Sequence, residues 1–331
     1  MKPVKLYFAG AWAGKCSTKE VELGIKNKLV SYIYPDQLES WLQVTQGREG
    51  NIILDSGAFS VWKSNKTINI DDYIRYAHEA IERGTKDGKK VRVVNLDVIP
   101  GKPGETENLN KLITSNTIRQ RNQELIEEAA RQGYKNLKIM VSNGIIPIHV
   151  YHQGENIKWL DRMLKYTNYI GISPANDVSV DSKKDWIHST FEYLYKIGVI
   201  DKVDTHGFAV WIPEILREFP WTSCDAATWR LVAAWGGIYY PTGGFKSPTF
   251  SEELLNSSFE TFGVSSKRVG KGLGKLTPNR LEQLQRDGYS YDDLQKWEIR
   301  AEINIKFFLA LEKWLNEYKK EKEYKPYNRL L

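Results

Sequence analysis

From the N-terminus to about residue 235, short apolar runs alternate with longer stretches whose apolar positions follow the helical period. The short runs are Lys5 to Phe8, Asn51 to Leu54, Val91 to Leu96, Ile148 to Tyr151, Tyr169 to Ile172, Lys202 to Thr205 and Thr222 to Cys224. Most are apolar at consecutive positions, as strands covered on both faces are. Between them lie Asp71 to Arg83, Asn116 to Arg131, Asn156 to Lys165 and Lys184 to Ile197, all helical in period. This alternation predicts parallel strands joined by helical crossovers.

Several runs end in a polar or glycine-containing cluster: Asp55-Ser56-Gly57, Asp97, His152-Gln153-Gly154, Ser173, His206-Gly207 and Asp225. Residues at such ends face the mouth of a β/α barrel, and an open doubly wound sheet also places ligands beyond them. So many clusters favour the closed form, because an open sheet brings fewer strand ends to one point. The expected fold is α/β, a TIM-type (β/α)8 barrel over residues 1–240. An eighth strand is expected at Lys138 to Val141 or at Gly237 to Tyr240.

After Trp235 the texture changes. Residues 241–276 mix Gly243, Gly244, Gly270, Gly272 and Gly274 with serines, threonines and lysines, and read as loops. Thr277-Pro278 reads as the N-cap and first position of a short helix ending near Gly288. A second helix is expected from Ser290, capped through Asp293, with Leu294, Trp297, Ala301, Ile305, Phe308, Leu311 and Leu315 as a stripe that docks on the barrel. The charged stretch Lys319 to Leu331 is expected to fray. Residues 241–331 thus make a mainly helical and loop extension.

Composition narrows the class. Of 331 residues, 41% are hydrophobic and 27% charged, ordinary for a globular chain with a large core. No apolar stretch is long enough to span a membrane, and MKPVKLYFAG lacks the apolar segment and cleavage site of an export signal. No membrane association and a cytoplasmic location are expected. Two cysteines, Cys16 and Cys224, cannot build a four-cysteine metal site and argue against a disulfide framework. The histidines, at 78, 149, 152, 188 and 206, have no zinc-ligand spacing. A net charge of +6 permits a polyanionic partner without requiring one.

The segment NIILDSGAFS sets Asp55 after an apolar strand and before a small-residue turn that lets backbone and ligand approach closely. In FPWTSCDAATWR, Asp225 has a similar setting before Ala226-Ala227. Each aspartate serves equally well as a helix cap when taken alone. Together they permit one carboxylate to attack an anomeric carbon while the other moves protons, which requires two different environments. Asp97 offers an acceptor for N–H groups on a purine edge, or stabilises the turn before Pro100. Gln153 has a donor and an acceptor suited to a base carbonyl. His206 is a candidate for contact with a phosphate or leaving group, or a structural histidine. In SSKRVGKGLGKL, Lys267, Arg268, Lys271 and Lys275 alternate with glycines and suit a sugar-phosphate chain or an ordinary solvated loop.

These motifs carry a family resemblance. DSGAF at 55–59 resembles the DSGGF segment of tRNA-guanine transglycosylases, and SCDAATW resembles the region around their nucleophilic aspartate. The likeness runs through most of residues 5–235. HGFAVWIPEILREFPWTSCDAATW is similar to the deoxypurine-in-DNA protein A group, whose members place 7-deazaguanine derivatives in DNA. The resemblance implies Asp225 as nucleophile and Asp55 as general acid/base; Ser56, Gly57 and His206, at the same strand ends, are candidates for binding the substrate. It also implies that Asp97 and Gln153 read the base edge and that Gly171 offers a backbone N–H to the base carbonyl. A DNA-guanine transglycosylase would need no metal or other cofactor. Its partners would be DNA, a free 7-deazaguanine base such as 7-cyano-7-deazaguanine, and a helicase or other DNA-opening protein; its place would be the cytoplasm, the host's if phage-encoded.

The tRNA enzymes carry a cysteine-rich zinc site with a CxCxxC motif that this chain lacks. That departure favours DNA over tRNA as substrate. A tRNA-guanine transglycosylase, a nucleoside or glycoside hydrolase using the same carboxylates, and a nucleic-acid-binding protein without activity stand as alternatives.

Overall fold

The computed structural model describes residues 1–101, 116–176, 178–246, 248–250, 255, 259–263 and 274–326. Eight parallel strands, β1 (Lys5–Ala9), β2 (Asn27–Ser31), β3 (Gly50–Asp55), β4 (Lys89–Val93), β5 (His149–His152), β6 (Tyr169–Ser173), β7 (Asp204–Gly207) and β8 (Ser223–Ala226), make one sheet. Their order is β4-β3-β2-β1-β8-β7-β6-β5, and helices are interleaved along the chain. The sheet curls into a half-barrel. Its edges meet at a parallel bridge between Val94 and Ile148, where Ile148 N–H donates to Val93 O and Asn95 N–H to Ile148 O, each at 2.8 Å.

Strand alternation gives each strand two apolar faces. Tyr7, Ala9, Leu29, Ile53, Val94, Ile148 and Val150 form an inner cluster. Leu6, Phe8, Val30, Ile52 and Leu54 join the outer core beneath the helices. The helix Ile70–Lys86 shows why the crossovers form where they do. Asn69 caps it by accepting from Asp71 and Asp72 N–H, and Tyr73, Ile74, Ala77 and Ala80 make its buried stripe.

Of the two places expected for a further strand, Gly237 to Tyr240 is a strand but belongs to a second sheet, and Lys138 to Val141 lies in the helix Asn116–Ser142; the eighth strand of the main sheet is β2, through NKLVS. Lys28 hides that strand in the sequence, because a lysine there reads as surface. Its side chain is fully buried, 2.9 Å from Glu20 of helix α1 (Thr18–Glu22), which is also fully buried. Trp41 and Trp229 flank the ammonium, with ring centroids 5.4 and 5.6 Å away. Glu20 also accepts from Trp12 and Ser17 N–H, each at 3.2 Å, so one carboxylate satisfies the start of α1 and the lysine together.

The expectation of loops over 241–276 is corrected in part. Gly237–Pro241 (β9), Phe259–Gly263 (β10) and Gly274–Lys275 (β11) form a second sheet, with β10 antiparallel to β9 and parallel to β11. Pro278–Arg286 is helical, with Thr277 as its cap. Ser290 and Asp293 bond to each other as anticipated, but around a short 3-10 turn; the long helix is Trp297–Lys320. Ala301, Ile305, Phe308, Leu311 and Leu315 are buried in the same outer core as the strands. Lys319, expected to fray, is fully buried and donates to Phe219 O at 2.9 Å. Burial pushes its ammonium down to about 8.

Removing one member of a buried pair strands the other charge. Lys28→Met should therefore destabilise the fold by about 3–5 kcal/mol in urea unfolding, and Lys28→Met with Glu20→Gln by clearly less. An equal loss in both variants would show that the charges do not act as a pair.

Candidate active site

The C-terminal ends of the strands open onto a cavity of about 730 Å³. Asp55, Asp97, Gln153 and Asp225 line it, with Phe59, Trp62 and Phe208 as aromatic wall. Phe59 and Trp62, one helical turn apart on Ala58–Lys63, stack with ring centroids 5.9 Å apart. Trp62 Nε1 donates to Gly101 O at 2.8 Å and ties this wall to the loop after β4. Asp55 ends β3, and Gly57 behind it has φ +80°. A Cβ at Gly57 would come within 2.8 Å of Ile33, so the turn requires glycine. Gly57 N–H donates to Asp55 Oδ2 at 2.9 Å. Burial, the negative charge of Asp97 and that of Asp225 nevertheless push the Asp55 carboxyl up to about 7, against the bonds from Gly57 and Ser56 N–H. It can hold a proton near neutrality and release one nearby.

Asp225 lies on β8 with 7% of its surface exposed. Its Oδ1 accepts from Ala209 N–H at 3.2 Å and sits 3.2 Å from His206 Nε2. Ala209 has φ +54°, uncommon for a residue with a Cβ, and this conformation accompanies the bond from its N–H to Asp225. The two carboxylates thus have different surroundings: Asp225 accepts from Ala209 N–H and faces His206, whereas Asp55 is crowded by Asp97 and Asp225.

Asp97 is held from two sides. Ser56 Oγ donates to its Oδ1 at 3.3 Å, and His152 Nε2 lies 3.0 Å from its Oδ2. Contact with Asp97 raises the His152 imidazole against the opposing effect of burial, and burial pushes the neighbouring Glu155 carboxyl up to about 7. Gln153 accepts from Ala175 N–H at 3.0 Å through Oε1, while its Nε2 approaches Ser182 Oγ at 3.4 Å. Ser56 and His206 are fully buried and, like Gly57, sit behind the cavity wall rather than on it. Gly171 is mid-strand in β6, where a Cβ would meet the Phe208 ring at 2.4 Å; its smallness serves ring packing. Lys267, Arg268 and Lys271 lie outside the described residues, and of Lys275 only the backbone, in β11, is described.

The sequence by itself does not pair Asp97 with His152 or mark Phe59 and Trp62 as a wall. A hint of the wall is present in DSGAFSVW, where Phe59 and Trp62 are spaced three apart just after the turn. A larger cavity, about 910 Å³, lies at the other end of the strands, with Lys5, Lys26, Arg48, Lys90 and Glu312 on its walls. It holds no comparable group of carboxylates, and ligands of parallel α/β sheets bind at the strands' C-terminal ends.

Fold and site together define an α/β protein with an acidic, aromatic-walled cavity at the C-terminal ends of its parallel strands. No protein-family model matches the sequence, and no match is found among curated proteins. Among the described residues, no helix is long and apolar enough to cross a membrane, and no cluster of three or more His, Cys, Asp or Glu could hold a metal ion.

The raised Asp55 carboxyl fixes a pH dependence. Its protonated form is favoured by the fold, so its contribution is complete below the ordinary carboxylate value and is lost as pH rises through about 7. Asp55→Asn should match the wild type in urea unfolding at low pH and exceed it at pH 8 by about 1–4 kcal/mol. A constant difference across that range would contradict the raised value.

Proposed function

We propose that this chain is a DNA-guanine transglycosylase that exchanges guanine for a 7-deazaguanine derivative. The observation that carries the reading is the pairing, in one cavity, of a donor-supplied Asp225 with an Asp55 whose carboxyl is pushed up to about 7. The cavity is of small-ligand size, and Phe59, Trp62 and Phe208 offer faces against which a flat base stacks. The motif resemblance around Asp55 and Asp225 points the same way. Within this reading the sheet is a closed TIM-type (β/α)8 barrel, which the Val94–Ile148 bridge supports.

In the first displacement an Asp225 oxygen attacks C1′ and the bond from C1′ to guanine breaks, with Asp55 giving its proton to the departing base. In the second, Asp55 takes the proton from the incoming 7-deazaguanine, whose nitrogen attacks C1′ and frees Asp225. Two displacements retain configuration at C1′. Asp97 and Gln153 offer acceptor and donor groups for the base edge. The target base must leave its stack to enter, so duplex DNA needs a locally opened site or an opening partner. DNA is favoured over tRNA because the only cysteines, Cys16 and Cys224, are both buried and free and cannot supply the zinc site of the tRNA enzymes.

Radiolabelled guanine and, separately, 7-cyano-7-deazaguanine should enter DNA but not matched tRNA with the wild-type chain. Asp225→Ala should lower incorporation by at least ~10³-fold. Denaturing mass spectrometry should find a covalent protein–DNA species in the wild type alone. Label in tRNA would move the assignment to the RNA-modifying enzymes, and release of free base without incorporation would make the protein a hydrolase.

A further inference from the structure

We propose that Tyr169, Ser223 and His206 form a hydrogen-bonded chain that holds His206 as the neutral tautomer protonated on Nε2, which in turn fixes Asp225 through Oδ1 and leaves Oδ2 to react. The assignment of a reacting oxygen rests on Asp225 being the nucleophile; the chain itself does not.

The geometry crosses three adjacent strands. His206 on β7 stands in register with Ser223 on β8, and Asp225 follows Ser223 on the same inward face. Tyr169 projects from the inward face of β6. His206 Nε2 is 3.2 Å from Asp225 Oδ1, His206 Nδ1 is 2.6 Å from Ser223 Oγ, and Ser223 Oγ is 2.6 Å from the Tyr169 hydroxyl. The imidazole is fully buried. Phe208 and Tyr7 pack against its ring edge-on, with centroids at 4.5 and 6.0 Å.

Proton counting gives the direction. An ionised carboxylate only accepts, so Nε2 must carry the proton. In a neutral imidazole Nδ1 then accepts, and the group beside it is the Ser223 hydroxyl. That hydroxyl donates to Nδ1, and its oxygen accepts from Tyr169. Burial pushes the Tyr169 phenol up to about 12, so it keeps the proton it donates. The alternative, an imidazolium donating to Ser223, would turn the Ser223 hydroxyl toward Tyr169 and leave the phenol proton without an acceptor in the chain.

His206 is thus a positioning residue. When Oδ2 forms the bond to C1′, Oδ1 becomes the ester carbonyl and still accepts from Ala209 N–H and His206 Nε2–H. When C1′–Oδ2 breaks, the electron pair returns to Asp225 and the same two donors stabilise the departing carboxylate. No proton moves along the chain. Its loss should therefore slow release of the covalent intermediate more than its formation.

The tautomer is read directly by two-bond nitrogen–proton correlation on wild-type protein labelled with ¹⁵N-histidine, His206 being identified by its absence in His206→Gln. A protonated Nε2 with an unprotonated Nδ1, whose shift moves in Ser223→Ala and Tyr169→Phe, is expected. An imidazolium or the opposite tautomer in the wild type would overturn the proposal, whatever the activity. In guanine exchange, Ser223→Ala and Tyr169→Phe should lower kcat by about 10- to 100-fold with KM for the base little changed and more covalent species at steady state. His206→Gln, whose amide reaches toward the Nε2 position, should retain more activity than His206→Ala; equal losses would overturn the positioning role. A wild-type chain inactive on every nucleic acid but showing the expected tautomer would count against the transglycosylase reading and leave the hydrogen-bonded chain standing.

Discussion

Each strand of the curled sheet must bury side chains on both faces, and that requirement shapes the rest of the molecule. The outward faces are met by the helices. The inward faces meet each other, and Tyr7, Leu29, Ile53, Val94 and Val150 fill the interior partway along the strands. Toward the C-terminal ends the inward positions turn polar, with Asp55, His152 and Asp225. A cavity with an apolar floor and charged walls follows from that change.

Setting three aspartates around one cavity is electrostatically costly, and the local structure distributes the cost unevenly. Asp97 is offset by His152 and Ser56, and Asp225 by His206 and Ala209 N–H. Asp55 has backbone donors, but burial and its two acidic neighbours outweigh them. The result is one carboxyl that titrates near neutrality beside one that is held and oriented. The supporting groups sit behind the wall, where Ser56 and His206 are shielded from water and their bonds are stronger for it.

The long C-terminal helix has a related task at main-chain groups near the ends of strands and helices. Asn316 bonds both the N–H and the carbonyl of Val4, Glu312 accepts from Leu6 N–H, and Asn304 joins Trp229 O to Tyr239 N–H. Arg300 donates to the carbonyls of Ala233 and Leu294. A purely apolar helix face would leave these main-chain groups unsatisfied in a buried setting. The same residues interrupt the helix's apolar pattern, so its full contact face exceeds the stripe that periodicity reveals.

Local periodicity and turn chemistry determined seven of the strands to within a few residues, four of the helices between them, and the strand-end position of Asp55, Gln153 and Asp225; Asp97, read as closing its strand, lies four residues beyond the end of β4. They did so because consecutive apolar residues, caps and small-residue turns act over a few neighbouring positions. Only the tertiary structure decided the rest. Strand β2 holds a lysine whose partner, Glu20, is on another element, and β10 pairs across a long separation with β9. His206 gained its place from Ser223, Tyr169 and Asp225 on neighbouring strands, and the close approach of the Phe208 ring leaves no room for a Cβ at Gly171. In each case the deciding contact is with another element of the fold, and a charge or glycine cannot reveal from its own immediate neighbours in the chain which group elsewhere will satisfy or crowd it.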